Sequence, residues 1–155
     1  MLNAIRIYEQ GGPEVMRWES VDLPKLGSEE IRIHHTAIGL NFIDTYQRSG
    51  LYPLNLPCGL GKEAAGVVEE IGSAVKEFKK GDRVVYVSGT SAYSEASQIA
   101  ANLVVPIPDE VKDEVAAASM LKGMTAEYLL HRIGRVRADD VILFHAAAGG
   151  TGLIV

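Results

Sequence analysis

The chain has 155 residues, of which 47% are hydrophobic and 23% are charged, and its formal net charge is −5. This length and composition predict a globular protein that can bury an ordinary hydrophobic core. Acidic and basic residues are mixed along the chain without a basic stripe, and no apolar run approaches the ~20 residues of a membrane span. Nucleic acid and membrane partners are therefore not expected.

Short segments with alternating hydrophobicity dominate the first part of the chain. Ile5 and Ile7 share one face of the first such segment, as in a half-buried strand. Gly66 interrupts another and predicts a bulge or a close backbone approach, while Pro106 and Pro108 end the series. The pattern favours a β-barrel or sandwich. Strands are predicted at residues 2–9, 15–21, 30–38, 62–71, 93–99 and 103–106, and residues 78–86 are predicted to be a turn that leads into a strand.

Helical spacing replaces alternation at three places. Residues 41–49 predict a short helix with Asn41 as N-cap, Phe42 and Tyr46 at i, i+4 spacing, and Gly50 as the stop. Two further helices are predicted at residues 115–121 and 125–133.

The end of the chain has a third pattern. Asp-Val-Ile-Leu-Phe-His at residues 140–145 predicts a buried strand, Ala-Ala-Ala-Gly-Gly-Thr-Gly at 146–152 a glycine loop, and residues 153–155 the start of a helix. A strand, glycine loop and helix in this order present backbone N–H groups to a pyrophosphate. The spacing departs from G-x-G-x-x-G, but the context favours phosphate binding over a simple turn.

Two other stretches carry polar groups that could bind a ligand. Asn41, Asp44 and Tyr46 offer donors and acceptors on one short helix, Lys122 could meet a phosphate, and Tyr128 could stack on a flat ring. Judged on these residues alone, helix capping, a core aromatic residue and a solvated lysine are the better explanations.

Metal binding is not expected. The four histidines, at positions 34, 35, 131 and 145, are scattered, and Cys58 has no partner at ligand spacing. His145, within an apolar stretch, is expected to be a core residue. A single cysteine and an N-terminus without the features of a signal peptide favour a cytoplasmic location.

A series of motifs runs along the whole chain: Gly-Gly-Pro-Glu-Val at 11–15, Gly-Leu-Asn-Phe-Ile-Asp-Thr-Tyr at 39–46, Arg-Ser-Gly-Leu-Tyr-Pro at 48–53, Gly-Lys-Glu-Ala-Ala-Gly-Val-Val at 61–68, Lys-Gly-Asp-Arg-Val at 80–84, Ala-Ala-Ser-Met-Leu-Lys-Gly-Met-Thr at 117–125 and Ala-Ala-Gly-Gly-Thr-Gly at 147–152. Together they resemble the zinc-free quinone oxidoreductases of the medium-chain dehydrogenase/reductase superfamily. Zinc-dependent relatives have a cysteine at the position of Asn41, a histidine at that of Lys62, and a four-cysteine lobe, none of which occurs here.

The resemblance implies a fold that is mostly β with some α. Residues 1–122 would form a GroES-like β-barrel domain, and residues 123–155 a hinge helix with the truncated start of a Rossmann α/β domain, its first strand and glycine loop. It also implies NADPH-dependent reduction of a quinone and a homodimeric full-length parent.

The resemblance also assigns roles to residues. Asn41, Phe42, Asp44 and Tyr46 would line the nicotinamide end of the cleft, and Tyr52 would face the quinone. The remaining cofactor contacts would come from Lys122, Thr125 and Tyr128 at the hinge and from Gly149, Gly150 and Thr151 under the pyrophosphate. No obligatory acid or base is implied; Tyr46 and Tyr52 are the candidate donors to a quinone oxygen.

Two alternatives remain open. Relatives of this kind are roughly twice as long, as a six-strand Rossmann sheet requires, so we expect the 155 residues alone to be inactive. Without the rest of that sheet, the strand at 141–145 is expected to be an association edge. The chain could instead be an isolated, non-enzymatic barrel or interaction module. An enzyme acting on an enal or enone rather than a quinone is the other alternative.

Overall fold

The computed structural model describes residues 1–87, 89 and 91–155. Within these ranges the chain forms eight strands and two α-helices. They are β1 Leu2–Ile7, β2 Arg17–Val21, β3 Glu30–Gly39, α1 Phe42–Ser49, β4 Cys58–Gly59, β5 Glu63–Ile71, β6 Arg83–Val87, β7 Ala96–Ala100, β8 Val104–Pro106 and α2 Asp113–Glu127. A π-helical segment, Tyr128–Ile133, continues directly from α2.

The strands form two antiparallel sheets, ordered β2-β1-β4 and β7-β3-β5-β6-β8. The sheets meet where the Ile5 N–H donates to the Tyr93 carbonyl oxygen at 2.7 Å and Ala4 bridges to Ser94. These contacts join the two sheets, and the predicted mostly-β barrel is confirmed.

Alternating residues of the larger sheet fill the barrel. Ile31 and Ile33 of β3 are fully buried with Val68, Val84 and Tyr86, because successive strand side chains point to opposite faces. The outward-facing side of the same sheet is covered by α2, where Ala65 and Val85 pack against Ala116 and Ala117, together with Ile107.

Gly39 explains how closely α2 approaches β3. A Cβ at this position would collide with the Ala117 carbonyl oxygen and with the Glu63 side chain. Because glycine has no side chain, the helix can lie against the end of β3 and the start of β5. This close packing positions the second half of α2 beside α1 and Glu63.

The prediction for Gly66 is confirmed as a close backbone approach. A Cβ there would meet the His34 carbonyl oxygen of the neighbouring strand. The register shifts opposite Gly66, between His35 and Ala37, so the extra residue lies on β3 rather than on β5.

The prediction of two helices at residues 115–121 and 125–133 is wrong. The structure has one helix, α2, from Asp113 to Glu127, and the π-helical segment prolongs it to Ile133. Gly123 does not interrupt it, because a helical glycine keeps its backbone N–H and costs only about 1 kcal/mol relative to alanine. The helix also crosses residue 122, and the domain boundary placed there stays a prediction.

The predicted buried strand at residues 140–145 is also wrong for this structure. Within residues 91–155, all of them described, this segment pairs with no strand, and Val141 is 100% and Leu143 86% exposed. A lone strand has no partner for its backbone groups or its apolar side chains. His145 is likewise exposed rather than in the core, and residues 153 and 154 lie in a turn, so no helix begins at 153–155.

Over the described residues, no helix is long and apolar enough to cross a bilayer.

Candidate functional site

Glu63 lies at the centre of a polar cluster where α1, α2 and the start of β5 meet. Its side chain is 0% exposed. Oε1 accepts hydrogen bonds from Asn41 Nδ2 at 2.7 Å and from Lys122 Nζ at 3.3 Å, and Oε2 accepts one from the Leu121 backbone N–H at 2.6 Å. A buried carboxylate requires this number of donors because it has left its hydration shell.

The chemistry of its neighbours fixes the orientation of the Asn41 amide. The Glu63 carboxylate only accepts and the Lys122 ammonium only donates, so Nδ2 must face Glu63 and Oδ1 must face Lys122. Lys122 Nζ lies 3.0 Å from Asn41 Oδ1. The amide predicted to bind the cofactor is therefore held in one orientation by charged groups on both sides.

Lys122 uses its ammonium inside the protein. It donates to Asn41 Oδ1, to Glu63 Oε1 and, at 3.4 Å, to the Leu40 carbonyl oxygen, which matches its three N–H donors. Its alkyl stem covers the glycine loop: a Cβ built on Gly150 would lie 2.6 Å from Lys122 Cδ and 2.7 Å from Cε. Lys122 thus connects the barrel to the loop expected to bind phosphate.

Asp44 faces the interior and is 4% exposed. Its Oδ2 accepts from the Asn41 backbone N–H at 3.0 Å, as in a capping box, and from the Tyr93 hydroxyl at 2.7 Å. Burial and then the hydrogen bond to Asp44 raise the pKa of Tyr93, so Tyr93 stays a neutral donor. The buried Asp44 side chain is therefore linked to the rest of the site through its hydrogen bond from Asn41.

Three aromatic residues form a row on the outside of α1 and the loop after it. Phe42 and Tyr46 meet edge to face with their ring centroids 5.3 Å apart, and Tyr46 and Tyr52 do so at 5.4 Å. Phe42 is 75% exposed, and Tyr52 is half exposed. The row offers apolar faces to a flat ring and two phenolic hydroxyls that can donate hydrogen bonds.

The other predicted residues divide between a groove and the glycine loop. Thr125 and Tyr128 line an open groove of about 740 Å³ along the end of α2, together with Met124. Thr125 Oγ1 donates to the Leu121 carbonyl oxygen at 2.8 Å.

The glycine loop is held by backbone hydrogen bonds. The Gly149 N–H donates to the Ala146 carbonyl oxygen at 2.8 Å, and the Thr151 carbonyl oxygen accepts from the N–H groups of Ile154 and Val155.

Sequence reasoning did not select Glu63 or Tyr93 as site residues. Glu63 lies in the Gly-Lys-Glu-Ala-Ala-Gly-Val-Val motif at 61–68. A single carboxylate at the start of a run of small apolar strand residues was a signal that it would be buried and need partners. Tyr93 gave no such signal, because its partner Asp44 is far away in sequence.

The described residues include no group of three His, Cys, Asp or Glu side chains placed to hold a metal ion.

Comparison with known proteins places this site in a family context. A family model for the alcohol dehydrogenase GroES-like domain matches residues 27–137. A quinone oxidoreductase of Pseudomonas aeruginosa is 51% identical over 155 residues, and a 2-haloacrylate reductase of a Burkholderia species is 43% identical over 162 residues. The crystal structure of Escherichia coli quinone oxidoreductase complexed with NADPH superposes with a TM-score of 0.95 at 49% identity.

These matches cover nearly all of this chain and about half of each relative. The chain is covered to 99% and 100% by the two curated relatives and to 98% by the crystal structure, whereas the shares of those proteins are 48%, 49% and 47%. The likeness is thus to one half of a longer kind of protein, the half with the barrel. By its family model and its barrel, the chain belongs to the alcohol dehydrogenase GroES-like domain family, and it is related along its whole length to the quinone oxidoreductases of the medium-chain dehydrogenase/reductase superfamily.

Proposed function

We propose that the complete protein containing this chain transfers reducing equivalents from NADPH to a quinone. One observation in the structure carries the proposal: Lys122 joins the oriented Asn41 amide and the buried Glu63 to Gly150 of the glycine loop. Residues from the barrel and from the loop thereby meet in one place, as a dinucleotide that spans two domains requires. The 51% identity to a quinone oxidoreductase supports the same reaction.

The residues present fit such a cofactor at both of its ends. The exposed ring of Phe42 and the half-buried ring of Tyr46 beside it suit a flat ring, and the oriented Asn41 amide suits a polar substituent on that ring. Glycines at 149 and 150 let a backbone approach phosphate oxygens. We assign these residues, with Asp44, Lys122, Thr125, Tyr128 and Thr151, to the cofactor side of the site.

NADPH, when bound, supplies the hydride. The protein's part is to hold two flat rings in register, to exclude water and to orient the quinone oxygens. Tyr52 and Tyr46 are the candidate hydrogen-bond donors to a quinone oxygen because their rings are adjacent in the aromatic row on the outside of α1. No other acid or base is assigned.

A second substrate class has support of its own. The relative named 2-haloacrylate reductase is 43% identical over the whole of this chain, and its name describes an activated alkene as substrate. Reduction of an enone or enal is therefore the alternative to quinone reduction, since the aromatic row can cover either kind of planar acceptor.

The deciding assay follows NADPH oxidation by the complete protein with a simple benzoquinone, with an enone and with 2-chloroacrylate. We expect the highest kcat/KM with the quinone. A preference for either alkene would replace the first proposal with the second. Absence of NADPH oxidation with all three acceptors, together with absence of NADPH binding, would favour the non-enzymatic barrel module.

We further propose that residues 123–155 lead into a Rossmann domain and that the 155 residues alone have no turnover. The unpaired segment at 140–145 supports this, because a dinucleotide domain needs neighbouring strands to order its glycine loop. Measurable quinone reduction by the purified 155-residue chain would contradict it.

We also propose that the complete protein is cytoplasmic and forms a homodimer. The single Cys58 supports the location because cytoplasmic proteins do without structural disulfides. The homodimer follows from the family resemblance. Sedimentation of the complete protein tests the homodimer, and fractionation of its native cells tests the location.

A further inference from the structure

We propose that Glu63 is a positioning residue that, through Lys122, fixes the glycine loop at residues 146–152 against the barrel. The part of this inference that concerns the cofactor rests on the proposed function. The coupling between Glu63 and the loop does not.

The carboxylate of Glu63 is a buried charge. It is 0% exposed, and Lys122 is the cation that contacts it. An ammonium beside a fully buried carboxylate is held there, because separating the two would leave the carboxylate away from water without a countercharge. The Lys122 head group therefore has a defined place beside Oε1.

The Lys122 side chain extends from this head group to the glycine loop. The ammonium is held at Leu40, Asn41 and Glu63, and the Cα is part of α2. With both ends fixed, the stem between them is confined as well. Its Cδ and Cε occupy the space that a Gly150 side chain would need, so the stem forms the surface on which the loop rests.

The Glu63 carboxylate is linked in this way to three parts of the chain. Glu63 binds the side chain of Asn41 at the start of α1, the backbone N–H of Leu121 in α2 and, through Lys122, Gly150 of the loop. We therefore expect a change in the Glu63 charge to alter the surroundings of Gly150, although the hydrogen bonds of Glu63 among the described residues do not include the loop itself.

Amide NMR spectra of the 155-residue chain test this coupling. We expect Glu63→Gln to shift the backbone amide signals of Gly150 and Thr151 as well as those of Leu121 and Asn41. Glu70→Gln is the matched control, because it makes the same change on the same strand in the exposed ion pair with Arg32. That variant should leave the loop signals in place.

A second pair of variants tests the same coupling with substitutions in the loop. Gly150→Ala places a Cβ against the Lys122 stem, so it should shift the Asn41 side-chain amide and the Leu121 amide. Gly149→Ala is the control, since its Cβ would meet only Ala146, with the nearest atom at 3.1 Å. The comparison of Gly150→Ala with Gly149→Ala still tests the coupling if Glu63→Gln does not fold.

Unchanged Gly150 and Thr151 signals in a folded Glu63→Gln chain, or an unchanged Asn41 side-chain amide in Gly150→Ala, would overturn the proposal. NADPH titration of the complete protein then tests the link to function, with an expected loss of about tenfold in affinity for Glu63→Gln. If the unaltered complete protein binds no NADPH, the proposed function fails while the NMR result on the coupling stands.

Discussion

Tyr93 donates a hydrogen bond to Asp44 across 49 positions of sequence, with 2.7 Å between the hydroxyl and Oδ2. Asp44 in turn accepts the backbone N–H of Asn41, and Asn41 binds Glu63 and Lys122. The loop before β7 is thereby linked to α1, to β5 and to α2 through one continuous set of polar contacts.

Removal of the Tyr93 hydroxyl should destabilise the chain. Tyr93→Phe leaves the buried Asp44 carboxylate with one donor fewer, and a hydrogen bond to a charged group contributes about 1.5–3 kcal/mol. Urea denaturation should show a loss of this order in the free energy of unfolding. Tyr8→Phe removes a similar phenol–carboxylate bond, that to Glu19, at an exposed site and should change stability little. Equal effects of the two variants would argue against a special role for Tyr93.

His35 should make stability depend on pH. Its Nδ1 lies 2.7 Å from the Ser94 carbonyl oxygen and its Nε2 3.0 Å from the Tyr86 hydroxyl. Since a carbonyl only accepts, Nδ1 carries the proton and Nε2 accepts from Tyr86. Burial lowers the pKa of His35 from its ordinary 6.5, and burial raises the pKa of Tyr86 to about 12, so both groups are neutral in the folded chain.

The sign of this effect follows from proton linkage. Between the lowered folded pKa and the unfolded pKa near 6.5, the unfolded chain binds more protons at His35 than the folded chain. The free energy of unfolding should therefore fall as pH decreases below about 6.5 and level off above it. Urea titrations at several pH values should show a smaller slope for His35→Gln than for the control His34→Gln, whose ring is exposed. Identical slopes would contradict the assignment.

Gly66 and Gly123 should respond in opposite ways to the same substitution. Gly66→Ala would force a Cβ into the His34 backbone and should cost about 1–3 kcal/mol, because the strands cannot separate without losing ladder bonds. Gly123→Ala meets no atom within 4 Å in the middle of α2 and should stabilise by about 0.5–1 kcal/mol. Thermal or urea unfolding measures both. A Gly66→Ala chain as stable as the original would contradict the close approach.

Tyr52 should contribute to turnover of the complete protein. If its hydroxyl donates to a quinone oxygen, Tyr52→Phe should lower kcat/KM by about five- to tenfold, the effect of one lost hydrogen bond. Steady-state kinetics with a benzoquinone measures this, with Tyr8→Phe as the control outside the site. Unchanged kcat and KM would remove Tyr52 from the mechanism, and the same comparison for Tyr46→Phe would then test the remaining candidate.

Several features of this protein follow from sequence because their causes are local. The alternation around Ile31 and Ile33 predicts which face of β3 is buried, since strand side chains point to opposite sides. Asn41 and Gly50 give the ends of α1 correctly: Asn41 is the N-cap, and Gly50 adopts a left-handed conformation with φ of 87° that favours glycine. Each of these depends on a residue and its near neighbours.

Tertiary structure alone decides the features that depend on distant partners. Glu63 acquires its role only when Asn41, Leu121 and Lys122, which lie 22, 58 and 59 positions away, come into contact with it. At residues 140–145 the local pattern misleads. The apolar residues predict a strand, yet the segment forms no strand because it has no neighbouring strand to pair with. Sequence thus determined the barrel, the ends of α1 and the family. Folding decided which carboxylate is buried at the centre of the polar cluster, since the partners of that charge are assembled by packing rather than by spacing in the sequence.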